Sequence, residues 1–205
     1  MSDFPFRNIA ISGLPGAGST TLLNHLKEQL NSDWQGYSGG EFMRAYAEEK
    51  GLFDKNSTHH HAATDYEDEF DYKIDYGVRE KLKSQSHWII ESWLAGFLAQ
   101  GVQGVLKVLM VCSEKSIRVD RIVNRDALTV EEAIKHIEER YQKNLAKWSR
   151  MYANEWREWV VDAGTIKEDE PIDFWRPELY DVVIDTYSVS QQEAADRVLD
   201  VLKKT

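Results

Sequence analysis

Asn8-Ile9-Ala10-Ile11-Ser12-Gly13-Leu14-Pro15-Gly16-Ala17-Gly18-Ser19-Thr20-Thr21 is the stretch whose reading decides the fold. Asn8 to Ser12 is a short apolar run ending at a glycine, the pattern of a strand buried on both faces of a parallel sheet. The turn that follows has the spacing of G-x-x-x-x-G-K-[ST], with Gly13 and Gly18 at its ends and Thr20 in the hydroxyl position. Glycines let the backbone curl until successive N–H groups point inward at phosphate oxygens, and a helix starting near Ser19 adds the positive end of its dipole. Gly13, Gly16, Ala17, Gly18, Ser19 and Thr20 therefore read as a triphosphate cradle, with the Thr20 hydroxyl expected on Mg²⁺ and Thr21 behind it. Ser19 departs from the pattern. It stands where a lysine normally neutralises the phosphates near the transferred group. A ligand-free glycine turn is the alternative, and the strand before and helix after it favour the cradle.

Outward from this turn, Thr20 to Leu30 reads as a helix with Leu22, Leu23, Leu26 and Leu30 on one face. Tyr37-Ser38-Gly39-Gly40 breaks the pattern, and a helix resumes over Glu41–Glu49. The chain is polar from Gly51 to about Glu69, and the dense acidic run Asp65–Asp71 reads as a solvated face. Tyr72–Lys83, Ser116–Arg125, Val130 to about Trp159 and Gln191–Lys203 read as helices. His87–Ser92, Val105–Cys112 and Asp181–Thr186 read as further buried strands. Apolar strands alternating with helices indicate a parallel sheet covered on both faces, in one α/β domain. Trp148, Tyr152, Trp156 and Trp159 recur at helical spacing, as core-packing residues do.

The 205 residues suit one such domain, and 42 % hydrophobic content supports a sizeable core. The formal net charge of -10 argues against a nucleic-acid binder, whose affinity comes from a basic surface. A small anionic substrate remains compatible, because a few arginines make a local positive pocket. The single cysteine, Cys112, excludes an intrachain disulfide and reads as a small buried residue at a strand end. No segment approaches the length of a membrane span, and Met1–Arg7, carrying Asp3, does not read as a signal peptide. A cytoplasmic protein, monomeric or weakly dimeric, is the expectation. His59-His60-His61 reads as solvated loop, since three consecutive residues cannot all face one ion on a helix.

Glu91 closes the strand Trp88–Ile90, where an acidic residue can hold Mg²⁺ or its water; an ordinary helix-capping carboxylate is the alternative. Arg118, Arg121 and Arg125 share one helix face and project over the same sheet edge as the glycine turn. Guanidinium groups match phosphate geometry and stack on bases. Arg140 lies further along and can fold back as part of a lid.

Several motifs occur together in an order that resembles the cytidylate kinases, particularly the short archaeal-type branch of the nucleoside-monophosphate kinases. They are I-S-G-L-P-G-A-G-S-T-T at Ile11–Thr21, G-G-E-F-M-R at Gly39–Arg44, K-I-D-Y at Lys73–Tyr76 and I-I-E-S-W-L-A-G at Ile89–Gly96. D-R-I-V-N-R at Asp120–Arg125, I-E-E-R at Ile137–Arg140 and Y-D-V-V-I-D-T at Tyr180–Thr186 complete the set. The resemblance implies a P-loop kinase fold with a five-stranded parallel sheet. It also implies a core of about residues 1–36, 86–125 and 146–205, a monophosphate-binding flap of about 37–85 and a short helical lid of about 126–145. It implies transfer of the γ-phosphate of Mg·ATP to CMP, dCMP or a similar monophosphate. Arg121 would stack on adenine, and Arg125 and Arg140 would close over the phosphates. Gly39, Arg44, Asp75, Glu91 and Trp93 would form the acceptor side, with Thr20 and Glu91 at the metal. The branch often has a hydroxyl residue in place of the loop lysine.

A second departure lies at Glu91-Ser92-Trp93, where the family has Glu-Gly-Arg. That arginine is expected to hold the acceptor phosphate, and tryptophan cannot pair with it. Stacking on a base, a different acceptor, or a nucleotide-binding regulatory protein without transfer activity are the readings this leaves open.

Overall fold

The computed structural model describes residues 5–49, 64 and 66–203. β1 (Asn8–Gly13) leads into α1 (Ser19–Gln29), then β2 (Gln35–Ser38), α2 (Gly39–Glu49) and α3 (Asp68–Ser84). β3 (Trp88–Glu91), α4 (Ala95–Leu98), β4 (Val105–Val111), α5 (Lys115–Asp126) and α6 (Val130–Met151) follow. α7 (Ala153–Trp156) runs into a π turn at Arg157–Val161, and a 3₁₀ turn at Pro177–Leu179 precedes β5 (Val182–Asp185) and α8 (Gln191–Lys203). The five strands form one parallel sheet in the order β2-β3-β1-β4-β5.

β1 is central and every one of its residues is buried. Alternating side chains of a strand point to opposite faces, and β1 shows what that does here. Ile9 and Ile11 pack with Leu22, Leu23 and Leu26 of α1 and Ala195, Val198 and Leu202 of α8. Ala10 faces the other layer, built from α3, α4, α6, α7 and the turns after them. That second layer is aromatic: Phe97, Tyr152 and Phe174 are fully buried in it, and Trp148 and Trp156 join them. The stripe on the long helix is therefore core, as its spacing indicates. Cys112 is buried just beyond β4, its Sγ 3.5 Å from the Glu114 carbonyl.

Three features differ from the sequence reading. β2 occupies Gln35–Ser38, in the segment read only as a break, and supplies the fifth strand. The long helix does not run unbroken to Trp159. It stops at Met151, and Tyr152 leaves helical geometry at φ -104°, ψ 25°. The Tyr72 hydroxyl donates to the Met151 carbonyl, an acceptor that a continuous helix would use, and the Tyr152 hydroxyl donates to Asp75. Finally, the acidic run is not a solvated face throughout. Asp68, Glu69 and Asp71 form the first turn of α3, where carboxylates meet the positive helix end. Asp71 is buried and paired with Lys147. His59–His61 and the side chain of Arg44 lie outside the described residues.

Candidate active site

The carboxyl ends of the strands bring Gly13, Ser38 and Glu91 to one edge, the usual position of a ligand site in an open parallel sheet. At that edge the chain turns through Leu14–Gly18 and enters α1. Gly16 and Gly18 hold φ values of 81° and 92°, in the left-handed region that side chains with a Cβ rarely enter. A Cβ on Gly16 would also lie 2.8 Å from the Arg118 carbonyl oxygen. No side chain caps the start of α1, which leaves its first N–H groups available to an anion.

The loop opens onto a cavity of about 510 Å³. On the loop side it is lined by Gly13–Gly16, Gly18–Thr21 and Arg121; on the far side stand Tyr37, Ile74, Asp75, Trp93 and Trp148, with Arg125 and Arg140 between. Gly39 and Glu91 also line it, so the described residues expected at the site meet in one space except Ala17, which is buried within the loop, and Arg118, which does not line the cavity.

Glu91 is the hinge of this arrangement. Its Oε1 accepts from the Ser19 hydroxyl and its Oε2 from the Ser38 hydroxyl, both at 2.8 Å. Burial pushes its carboxyl above the ordinary range, and the two serine hydroxyls hold it down against that. Ser19 thus ties the start of α1 to the end of β3, while Ser38 ties in β2. The neighbouring Ser92 hydroxyl is buried and has no hydrogen-bond partner among the described residues.

Arg121 grips the outside of the loop. Nη1 donates to the Gly16 carbonyl at 2.9 Å and the Thr186 hydroxyl at 2.8 Å, and Nη2 to the Thr186 carbonyl at 3.2 Å. Thr186 in turn donates to the Ala17 carbonyl at 3.1 Å. Arg118 adds a bond from Nε to the Pro15 carbonyl at 3.2 Å. Arg125 behaves differently from its two predecessors on the helix: its Nε and Nη2 make a two-pronged pair with the buried Asp126 carboxylate, each at 2.7 Å.

On the far side, the Tyr152 hydroxyl donates to Asp75 Oδ2 at 2.6 Å. Burial, with Asp71 adding to it, pushes the Asp75 carboxyl up to about 7 against the Tyr152 bond and Lys147. Burial and the Asp75 charge likewise push the Tyr37 hydroxyl up to about 12. Lys147 does not reach the phosphate loop. Its Nζ bonds Asp71 Oδ2 and the Tyr66 carbonyl, both at 2.8 Å, and lies 3.5 Å from Asp68. Lys107 pairs with Asp181 at 3.2 Å, and Lys143 is exposed, so none of the three stands in for the missing loop lysine. Trp93 packs against Trp148 and Trp175, and the Arg140 guanidinium lies 4.8 Å over its ring. Ser38 and Thr186, which hold Glu91 and the loop, are partners that sequence reading assigned no role. Their position immediately at or after a strand's carboxyl end was the available signal.

Residues 9–142 match the family model described as AAA domain. The chain is 32 % identical to a cytidylate kinase of Methanothrix thermoacetophila over 178 residues, 87 % of each chain. The chain belongs to the cytidylate kinase family. A Methanosarcina barkeri cytidylate kinase is 29 % identical over 196 residues, 95 % of this chain and 93 % of that one. Among solved structures, a gluconokinase from Sinorhizobium meliloti superposes with a TM-score of 0.54 at 11 % identity, covering 97 % of this chain and 92 % of that one, a likeness of fold. As a member of the cytidylate kinase family with a P-loop kinase fold, the protein is a phosphotransferase. No helix among the described residues is long and apolar enough to cross a membrane.

Proposed function

We propose that this cytidylate kinase family member transfers the γ-phosphoryl group of Mg·ATP to a pyrimidine nucleoside monophosphate, with CMP or dCMP as acceptor. The observation that carries the reading is the single cavity running from the glycine loop, past Glu91, to Asp75 and Trp93. On this reading the two nucleotides meet within it at their phosphates. ATP phosphates take the loop from Gly13 to Thr21. Arg121, whose N–H groups are committed to loop and Thr186 oxygens, offers its planar face to adenine.

The donor set at the metal position fits Mg²⁺: the Thr20 hydroxyl and the Glu91 carboxylate are hard oxygen ligands lining the same cavity. Bound there, the ion would neutralise phosphoryl charge. Arg125 and Arg140 would add to that neutralisation from residues 126–145 and the turn before them, acting as a lid, once Arg125 releases Asp126. Residues 37–85 would form the flap that receives the monophosphate, bringing Gly39, Arg44 and Asp75 to it. No protein nucleophile is required, because positioning and charge stabilisation supply most of the catalysis in phosphoryl transfer. Exclusion of water by the closed flap and lid would suppress ATP hydrolysis.

The test is ADP release from Mg·ATP against CMP, dCMP, UMP, AMP, GMP and no acceptor. Stimulation by a pyrimidine monophosphate is the expected result. Stimulation only by purines refutes the acceptor assignment, and no stimulation by any of them, with ATP bound, points to a different acceptor or to a nucleotide-binding regulator. The Trp93 substitution favours a second reading, a kinase of another small phosphate acceptor.

A further inference from the structure

Ser92 carries a hydroxyl that has no hydrogen-bond partner among the described residues, although its oxygen is buried. Its neighbours at this edge of the sheet are all used. Ser19 and Ser38 donate to Glu91, and Ser12 Oγ accepts from the Gly96 N–H at 2.9 Å. A buried hydroxyl left unsatisfied costs stability, and a ligand that accepts from it removes that cost. Ser92 as a whole is half-buried and lines the cavity. Its surroundings fix where. The Ser92 N–H donates to the Ile11 carbonyl at 3.1 Å, near the end of β1 that feeds the glycine loop. Gly39, the first residue of α2, packs directly on it: a Cβ on Gly39 would lie 2.9 Å from the Ser92 Cβ. Ser92 therefore stands between the nucleotide loop and the start of the flap, next to Glu91, which is bonded to both.

Where the family has glycine followed by arginine, this chain has Ser92-Trp93. Resting on the proposed kinase reading, we infer that Ser92 is a substrate-binding residue whose hydroxyl donates to a phosphate oxygen of the acceptor monophosphate. A phosphoryl group passing from the loop to an acceptor held by the flap crosses the gap in which Ser92 lies. The side chain has a single heavy-atom torsion, and its proton rotates about the C–O bond, so the donor turns to the cavity without backbone movement. The serine thus supplies, from the strand end itself, a neutral donor beside the position where the family places a charged one. Gly39 leaves room for it by having no side chain of its own.

The experiment compares wild type with Ser92→Ala and with Ser92→Gly, the family's residue, by thermal unfolding without ligand and by calorimetry with CMP, UMP, AMP and Mg·ATP. In Ser92→Ala the ligand-free Tm is expected to stay the same or rise, since no hydrogen bond is lost. Its affinity for CMP is expected to fall about tenfold, the change for one hydrogen bond to a charged group, and its affinity for ATP to stay within about twofold. Ser92→Gly should lose CMP affinity to the same extent. Any other monophosphate that the wild type binds should lose the same factor, because the phosphate is common to all of them. Unchanged CMP affinity in both variants overturns the assignment, as does a loss confined to one base. So does a lowered Tm with CMP and ATP weakened equally, which is what a merely structural serine produces. Turnover of CMP by a wild type whose alanine variant binds it equally well removes Ser92 and leaves the kinase reading standing. Binding of CMP without turnover counts against the kinase reading alone, and the same affinity comparison still decides on Ser92. No binding of any monophosphate overturns both.

Discussion

Replacing Lys147 by methionine separates two roles that a lysine near a phosphate site can have. The ammonium group is buried, with the Asp71 carboxylate and Tyr66 carbonyl at 2.8 Å and Asp68 at 3.5 Å. Methionine keeps most of the stem volume and removes the charge, leaving Asp71 buried beside a second carboxylate. Breaking a buried pair from one side costs about 3–5 kcal/mol, because the remaining charge has lost its partner without regaining water. In a chain of this size that is about 6–20 °C in Tm. Burial already holds the Asp71 carboxyl above its ordinary range despite the lysine. A raised carboxyl keeps its proton in the folded state at pH values where the unfolded chain has lost it, so stability falls as pH rises through that window. Removing the lysine widens the window, and the variant should lose stability between pH 5 and 8 more steeply than wild type. The assay is thermal unfolding at both pH values, with Lys147→Met/Asp71→Asn as the partner variant. The double variant is expected to recover part of the loss at pH 8, since no charge is then stranded. Calorimetry with ATP completes the measurement: affinity should stay within about threefold, the change expected of a residue that makes no phosphate contact. A Tm unchanged at pH 8, or ATP affinity lost by more than about tenfold, refutes the reasoning.

Gly16→Ala places a Cβ 2.8 Å from the Arg118 carbonyl at a φ of 81°, so ATP affinity measured by calorimetry should fall at least about tenfold, and unchanged affinity would show that the loop relaxes freely. Ser19→Ala strips Glu91 Oε1 of its donor, and a loss of about 1–3 kcal/mol in urea unfolding is expected, with no change counting against the Ser19–Glu91 tie. Asp75→Asn removes a carboxyl held up at about 7; because ionisation of that group costs the folded state stability as pH rises toward 7, the variant's Tm relative to wild type should be higher at pH 8 than at pH 5. An equal difference at both pH values would mean that Asp75 is ionised throughout.

The central strand, the glycine loop and both helix layers were legible because each is local: a run of apolar residues, a fixed glycine spacing, a helical period. β2 was not legible. Gln35-Gly36-Tyr37-Ser38 is short, contains a glycine and lies at the sheet edge, so neither alternation nor a continuous apolar run marks it. The Asp71–Lys147 pair spans 76 residues, and nothing in an acidic run tells which carboxylate turns inward. The break at Tyr152 was equally hidden, since the helical spacing of Trp148, Tyr152 and Trp156 continues across it. Trp93 was recognised as a departure from the family pattern, but its aromatic floor comes from Trp148 and Trp175, which only tertiary packing brings to it.

Thr186 donates to the Ala17 carbonyl across a sequence separation of 169, and Arg121 joins the same two segments. The nucleotide loop, although made almost wholly of residues near the start of the sequence, thus borrows its brace from near the end. During synthesis, a growing chain that has emerged only as far as β4 and α5 carries every glycine of the loop but not the last strand that braces it. The Thr186–Ala17 contact cannot form until both segments have emerged. A nucleotide that binds the braced loop would stabilise the folded molecule by mass action. If the loop binds ATP as proposed, tracking that binding during translation would test whether recognition waits for the docking of β5.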